Sequence, residues 1–526
     1  MTHPLLIEAM KMVNFYPHNP AEIELIETHI SYVFIAGYIV YKVKKPVSFD
    51  FLDFTSLEKR KFYCEEELRL NKRLAPNTYL DVVSISRDSK GNITLGKGVE
   101  VIDYAVRMKK LPANRMLKTL LFQGLADEII MDNLAEKIAA FHKQAQTGGH
   151  IDEMGDIENI RHNHKENFAE TLDYINITIP EYQYKFIKDY VEKFLAEKKP
   201  LFEKRVADHK IRDCHGDLHL EHIYVADEII IFDCIEFNER FRCGDVAEDV
   251  AFLTMDLDFN GYPRHADAFI ESYIRHSGDT DLPALLNFYR CYYAYVRGKV
   301  TSFRLSQEEL QENEREQITK NAARYFDLAY TYAARMDKPI LILTAGLMGS
   351  GKSYQARELA ARLGAEIIRT DLLRKELFNI KPTERRYEDF GQGIYSDDTS
   401  RIIYDKAYDL AAQKIKQGKA VIIDASFKKR VERQKAMEMA NGLSVRFYIL
   451  ECTCSDEITR NRLEKRIQEN DNASDGRWEL FQAQKNDFDA INEVSADCKF
   501  LIDTSADPET TRQEIIRKIN LGESQV

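Results

Sequence analysis

The sequence predicts an α+β domain made of a small β-rich lobe and a helical lobe, followed by an α/β domain with a central parallel sheet. Three observations predict it. Short apolar runs alternate with amphipathic segments downstream of about residue 338. Upstream, residues 22–50 and 80–107 read mainly as strands around one helical stretch, whereas residues 113–210 and most of 234–334 read as helices. Between the two regions, Arg335-Met-Asp-Lys-Pro339 ends a polar helical stretch of about 307–334 and gives way to Ile340-Leu-Ile-Leu-Thr344, the continuous apolar run of a buried parallel strand. The expected domains are residues 1–335, with lobes of about 1–112 and 113–335, and residues 338–526.

Composition narrows the class. A chain of 526 residues, 44% hydrophobic and 30% charged, has core enough for several soluble domains and excludes wholesale disorder. Residues 338–526 hold 31 Lys+Arg and 31 Asp+Glu, so the whole net charge of −12 falls in residues 1–337. That argues against non-specific binding of nucleic acid or anionic membrane by the first half, and leaves the second neutral. No apolar run reaches the roughly 18 residues of a membrane span, and the N-terminus lacks the basic region of a secretory signal. Eight scattered cysteines without a Cys-x-x-Cys pair fit a reduced, cytoplasmic chain.

In order, strands are expected at 22–30, 32–35 and 38–44 around an Ala36-Gly37 turn, then a helix at 56–74 and strands near 80–86, 92–95 and 100–107. Two short strands follow at about 222–233. In the second half, strands at 340–345, 365–369, 420–424, 444–451 and 499–503 alternate with helices at 352–363, 371–378, 400–417, 428–440, 456–469, 478–491 and 507–519. Gly364 and Gly418 stand where helices end, as C′ glycines do.

Gly346-Leu-Met-Gly349-Ser350-Gly351-Lys352-Ser353 satisfies G-x-x-x-x-G-K-[ST] between a predicted strand and a predicted helix, the context of a P-loop. Its glycines turn backbone N–H groups onto an anion at a helix N-terminus. In an ATP site Lys352 reaches the β- and γ-phosphates and Ser353 holds Mg²⁺. Asp371 and Arg374, one helical turn apart after the second strand, suit a hydroxyl-activating base and a clamp on an anionic acceptor. Asp424 ends the third strand, placed for contact with Mg²⁺ or substrate. Arg462 and Arg466, at i, i+4, suit a lid over the transferring phosphate; the alternative is a solvated pair with Glu457 or Glu464. These residues resemble the zeta-toxin, polynucleotide-kinase and gluconate-kinase branch of P-loop kinases. That resemblance implies a P-loop NTPase fold and phosphoryl transfer to a hydroxyl, with Asp371 as base.

In the first half, Asp213-Cys-His215-Gly216-Asp217-Leu218-His219-Leu-Glu-His222 precedes an apolar strand ending in Asp233-Cys-Ile-Glu236. One aspartate on a tight loop and another at the end of the next strand suit hydroxyl activation and Mg²⁺ ligation. The three histidines leave zinc as an alternative. The stretch resembles the aminoglycoside-phosphotransferase family, whose loop reads His-Gly-Asp-Leu-His-x-x-Asn. The resemblance implies a two-lobed protein-kinase-like domain with His215 as structural histidine, Asp217 as base and Asp233 as metal aspartate. His222 stands at the family's metal-binding asparagine. Gly244-Asp245-Val-Ala-Glu-Asp249 extends the likeness and is expected to tie the loop's backbone to the helical lobe.

By the same resemblance Lys42 is the phosphate-pairing lysine and Lys44 its same-face neighbour; Glu65-Glu66-Glu67 on the following helix offers the lysine's ion-pair partner, with Glu66 favoured. The alternative for Lys42-x-Lys44-Lys45 is a solvated strand edge. Thr28-His29-Ile30-Ser31 stands where the family has a glycine-rich loop.

The two halves in this order, with Lys44-Lys-Pro-Val-Ser-Phe-Asp-Phe-Leu-Asp-Phe, Cys64-Glu-Glu-Glu-Leu-Arg-Leu-Asn71 and Asp233-Cys-Ile-Glu-Phe-Asn238, resemble the bacterial bifunctional aminoglycoside phosphotransferase/ATP-binding protein family. The resemblance implies an ATP- and Mg²⁺-dependent phosphotransferase acting on a small-molecule or nucleotide-like acceptor. Two other classes stay open: an N-terminal half that only binds ligand and regulates, and, less favoured, a 5′-hydroxyl nucleic-acid kinase.

Overall fold

The alternation seen in residues 23–44 becomes three antiparallel strands: β1 (Ile23–Glu27), β2 (Ser31–Ala36) and β3 (Ile39–Lys44). Gly37, at φ 64°, makes the β2–β3 turn. β4 (Tyr79–Arg87), β5 (Ile93–Leu95) and β6 (Glu100–Lys109) complete a six-stranded antiparallel sheet in the order β1-β2-β3-β6-β4-β5. Its period-2 pattern buries Phe34, Tyr41, Val43, Ile85 and Ala105 in one cluster with Leu6, Met10 and Tyr16. Leu6 and Met10 belong to a helix, His3–Met10, that the sequence reading did not contain.

The helix Leu57–Asn71 is N-capped by Ser56, whose side chain accepts from Lys59 N. It is shorter than the expected 56–74 because residues 72–78 turn tightly into β4. Helices then dominate to Ala334, interrupted chiefly by the hairpin β7 (Ile223–Val225) and β8 (Ile229–Ile231).

The structure is a computed structural model describing the chain except residues 1–2, 50, 97, 308–309, 337, 382–383, 385, 387, 469–475, 506–507 and 522–526. The expected helix ends at 469 and 507, and residue 337 of the expected seam, lie outside the described residues. The chain divides into two compact units, Met1–Ala333 and Ala334–Val526.

In the second unit, all six residues of β9 (Ile340–Ala345) are buried. β10 (Glu366–Arg369), β11 (Val421–Asp424), β12 (Arg446–Thr453) and β13 (Lys499–Asp503) complete a five-stranded parallel sheet ordered β10-β11-β9-β12-β13. Leu341 and Leu343 of β9 join Ile423 of β11 and Ile403, Ala407 and Ala411 of a covering helix in one core. The central position of β9 places the loop after it at the carboxyl edge of the sheet, between two neighbouring strands. One helix departs from expectation: Trp478–Asn486 stops before 491. Asp487 there engages Lys428 and Lys429, and Phe488, Ile491 and Val494 pack onto the core. Among the described residues no helix is long and apolar enough to cross a membrane.

Candidate functional site

At the end of β9 the backbone at Gly346 takes φ 135°, and a Cβ there would lie 2.3 Å from the carbonyl oxygen of Cys452. The loop therefore runs too close to β12 for any side chain, which lets it curl into a cradle. Gly349 and Gly351 also have positive φ, and Gly351 precedes the helix Lys352–Leu363. Ser350 Oγ is buried with no hydrogen-bond partner among the described residues. Lys352 Nζ arches back to donate to Leu347 O at 2.7 Å, and Gln484 Oε1 accepts from Met348 N at 2.7 Å. A turn lined by N–H groups at a helix N-terminus, with an orphaned hydroxyl and a lysine folded over it, fits a polyphosphate.

Two carboxylates, Asp424 and Asp371, and several cations lie near this cradle. Asp424 is buried; its Oδ1 lies 3.2 Å from the Thr344 hydroxyl and its Oδ2 lies 3.6 Å from Arg369 Nε. Burial pushes Asp371 above the usual carboxylate range, and the nearby charge of Asp424 pushes it further. Burial also lowers the Lys352 ammonium, partly offset by Asp424, with Arg466 pushing it down. Asp424 thus lies close enough to bias the protonation of both Lys352 and Asp371, and Arg466 that of Lys352. Ser353, half-buried in the first helical turn, and Asp424 supply oxygen donors that suit Mg²⁺.

Arg374 and Arg462 are both held by other groups of the protein. Arg374 is buried, its Nη1 donating to Ile394 O at 2.5 Å and its guanidinium over the Tyr395 ring. Arg462 forms no pair with Glu457 or Glu464; Glu464 pairs with Arg460 instead. Arg462 donates to Thr504 Oγ1 at 2.8 Å, to Thr504 O at 2.7 Å and to Gly349 O at 3.4 Å. Thr504 in turn donates to Ser350 O at 3.0 Å. The pair ties residue 504 to the loop at Gly349 and Ser350.

In the first unit, residues from far-apart segments meet beneath the six-stranded sheet. Lys42 Nζ contacts Asp233 Oδ1 at 2.5 Å and Glu67 Oε1 at 3.0 Å. Lys44, fully buried, contacts Glu67 Oε2 at 2.8 Å and pairs with Glu236. Glu66 is corrected here: it pairs with Arg69 on the helix surface at 2.7 Å. Successive helical residues point about 100° apart, so the residue one position on, Glu67, is the one facing the lysines. The solvated-edge alternative for Lys42 and Lys44 is overturned by the same contacts.

Asp233 has φ 64°, an unfavourable backbone for aspartate, held by its N–H on Tyr79 OH at 3.2 Å and by Cys234 N on Asn71 Oδ1 at 2.9 Å. Asp217 lies opposite: its Oδ2 is 3.6 Å from His219 Nε2 and 3.5 Å from His222 Nδ1. Burial opposes ionisation of Asp217, but the two histidines outweigh it and hold the carboxyl below its usual range. Burial pushes His215 down to about 4, so it is neutral, donating from Nε2 to Phe232 O and accepting from Asp217 N. The loop's backbone is pegged by Asp249, which accepts from His215 N at 2.8 Å and Gly216 N at 2.9 Å. A Cβ on Gly216, at φ 81°, would meet Phe241 O at 2.6 Å.

The chain is 30% identical over 473 residues to the uncharacterized protein Rv2004c of Mycobacterium tuberculosis, covering 90% of this chain and 92% of the relative. The uncharacterized protein Mb2027c of Mycobacterium bovis matches equally. The chain belongs to their family. Within this Rv2004c family member, residues 341–491 match the AAA_33 model, an AAA domain. Among solved structures, a gluconokinase from Sinorhizobium meliloti aligns at 19% identity over 36% of this chain and 99% of its own, with a TM-score of 0.27. The APS kinase CysC of Mycobacterium tuberculosis aligns at 17% over 35% and 99%, with a TM-score of 0.26.

Sequence reasoning missed several residues of the family member's two sites. Thr504 and Gln484 carry no motif, because they reach the cradle from segments more than 130 positions away. Glu236 stands three residues after Asp233, and its partner Lys44 carries no motif of its own beyond its place on the same face as Lys42. An apolar strand with two lysines two residues apart is the signal that both are buried and that more than one acid must face them.

Proposed function

We propose that the protein is an ATP- and Mg²⁺-dependent phosphotransferase whose C-terminal unit acts on a hydroxyl of a small-molecule or nucleotide-like, anionic acceptor. One observation carries this reading: Asp371, a carboxyl raised by burial and by Asp424, lies close enough to Lys352 of the P-loop for their charges to act on each other. Bound ATP with Mg²⁺ supplies the transferable phosphoryl group and neutralises part of its charge. The loop's N–H groups and Lys352 hold the phosphates, and Ser353 and Asp424 hold the cation. Asp371 takes the acceptor's hydroxyl proton, a task suited by a pKa above the ordinary carboxylate range. Arg369 and Arg466 provide positive charge for an anionic acceptor. In a chain whose N-terminal loop carries Asp217→Asn, the further change Lys352→Ala is expected to abolish transfer from γ-³²P-ATP to a screened set of hydroxylated metabolites. Undiminished ATP turnover in that double variant would refute the assignment.

The N-terminal unit we read as a second phosphotransferase, resembling the aminoglycoside-phosphotransferase family, with Lys42 for phosphate and Asp217 as base. The gathering of Lys42, Glu67, Asp217 and Asp233 supports this, and the acidic excess of residues 1–337 suits a cationic acceptor. One observation favours the other reading, a ligand-binding regulatory module. In the β1–β2 turn, the N–H groups of Ile30 and Ser31 are directed to Thr28 Oγ1 rather than outward to a phosphate. Transfer that survives Lys352→Ala and is lost with Asp217→Asn identifies an enzyme; no such transfer identifies the module.

A further inference from the structure

We infer that the cation held by the N-terminal loop is a first-row transition ion of the Mn²⁺ or Zn²⁺ class rather than Mg²⁺. The inference rests on reading residues 215–236 as the cation site of that unit, and concerns which ion its donors select. Mg²⁺ takes oxygen ligands and dehydrates reluctantly. Here the position opposite Asp233 presents an imidazole, so the donor set does not fit Mg²⁺.

Hydrogen bonding fixes which ring nitrogen is available. His222 Nδ1 lies 3.0 Å from the backbone carbonyl of Asp217, which can only accept, so Nδ1 carries the proton and Nε2 a lone pair. That lone pair faces Asp233 Oδ2 at 3.5 Å. Two acceptors so placed have no hydrogen between them, and one cation satisfies both. Ligand bonds of about 2.0–2.2 Å set adjacent ligand atoms about 3 Å apart or slightly more, close to the separation seen. An imidazole whose other N–H is anchored on a carbonyl is the arrangement metal-bound histidines adopt.

The other two histidines are arranged differently. His215 donates from Nε2 to Phe232 O and accepts at Nδ1. His219 accepts at Nδ1 from Glu221 N, which leaves its proton on Nε2, facing Asp217. His219 therefore orients the Asp217 carboxylate, and His222 alone of the three directs a lone pair at Asp233. Imidazole combined with carboxylate favours Mn²⁺ or Zn²⁺ over Mg²⁺.

The test uses the full chain carrying Ser353→Ala and Asp424→Asn, which remove the oxygen donors of the P-loop's cation site. Mn²⁺ alone, without nucleotide, is added and followed by electron paramagnetic resonance, with spin-echo modulation to detect coordinated ¹⁴N. The expected result is one bound Mn²⁺ with a directly bound nitrogen, retained against Mg²⁺ by at least about tenfold. His222→Asn should remove the nitrogen signal and the preference while leaving the circular dichroism unchanged. Absence of stoichiometric binding, a nitrogen-free signal, equal competition by Mg²⁺, or unaltered binding in His222→Asn would each overturn the inference. Absence of N-terminal phosphotransfer alongside the expected binding would remove the catalytic reading of that unit and leave the metal assignment standing.

Discussion

Replacing Glu67 by Gln, with Glu66→Gln as its neighbour control, tests the buried charge cluster of the N-terminal unit. Glu67 faces both Lys42 and Lys44, and its removal leaves two buried ammonium groups sharing Asp233 and Glu236. Breaking a buried pair by deleting one partner costs about 3–5 kcal/mol. An unfolding entropy of about 2.1 cal/mol/K per residue over the unit Met1–Ala333 gives about 0.7 kcal/mol/K, so its transition should fall by about 4–7 °C. Glu66 faces Arg69 at the surface, a pair worth at most about 1 kcal/mol, or about 1.5 °C. Differential scanning calorimetry of the two variants reads the contrast. It also has a pH signature. Burial raises Glu67, but Lys42 and Lys44 outweigh it, so its folded-state pKa lies below the unfolded value of about 4.3. Its contribution is fully present above that pH and fades as pH falls toward the folded value. The deficit of Glu67→Gln should therefore persist at pH 7 and shrink below about pH 4. Equal shifts for the two variants, or a larger one for Glu66→Gln, would refute the account of the cluster.

Three further outcomes are expected of the P-loop unit. Asp371→Asn should lower kcat by about 10²–10⁴-fold while nucleotide binding, followed by calorimetric titration, is retained. Asp424→Asn removes the charge that raises Asp371, so the acidic limb of kcat/KM should move to lower pH in whatever activity survives; an unmoved limb would exclude Asp371 as the titrating base. Gly346→Ala forces a Cβ to 2.3 Å from Cys452 O, and Arg462→Ala frees Thr504 and Gly349 O. Both should weaken nucleotide binding, the first more severely, with far-ultraviolet circular dichroism reporting whether the sheet persists.

The parts legible in sequence were those governed by local rules. Ile340–Ala345 announces a buried strand because all of its residues must avoid water, and the glycines after it announce a cradle because backbone torsion is local. The choice between Glu66 and Glu67 was not legible. Glu65, Glu66 and Glu67 are chemically identical, and only the rotation of the helix against the sheet selects which one meets the lysines. The partners of Arg462 were not legible for a related reason. Its spacing to Glu464 is local and visible, whereas Thr504, which holds it, arrives from the end of the last strand. Helix Trp478–Asn486 ended early because Asp487 found two lysines from another helix's approach, again a tertiary decision.

Asp249 gives the N-terminal loop a division of labour. One buried carboxylate on a helix grips the N–H groups of two consecutive loop residues, and is itself steadied by His142 at 3.1 Å. The curve of the loop is thereby written in part into a residue outside it, and in part into the rings of His215, His219 and His222, each of which meets a backbone group of the loop through Nδ1. Because Asp249 lies outside the loop, substitutions among the loop's own side chains leave its two grips on the backbone in place. A loop built this way can be retuned to a new metal or a new acceptor by single substitutions.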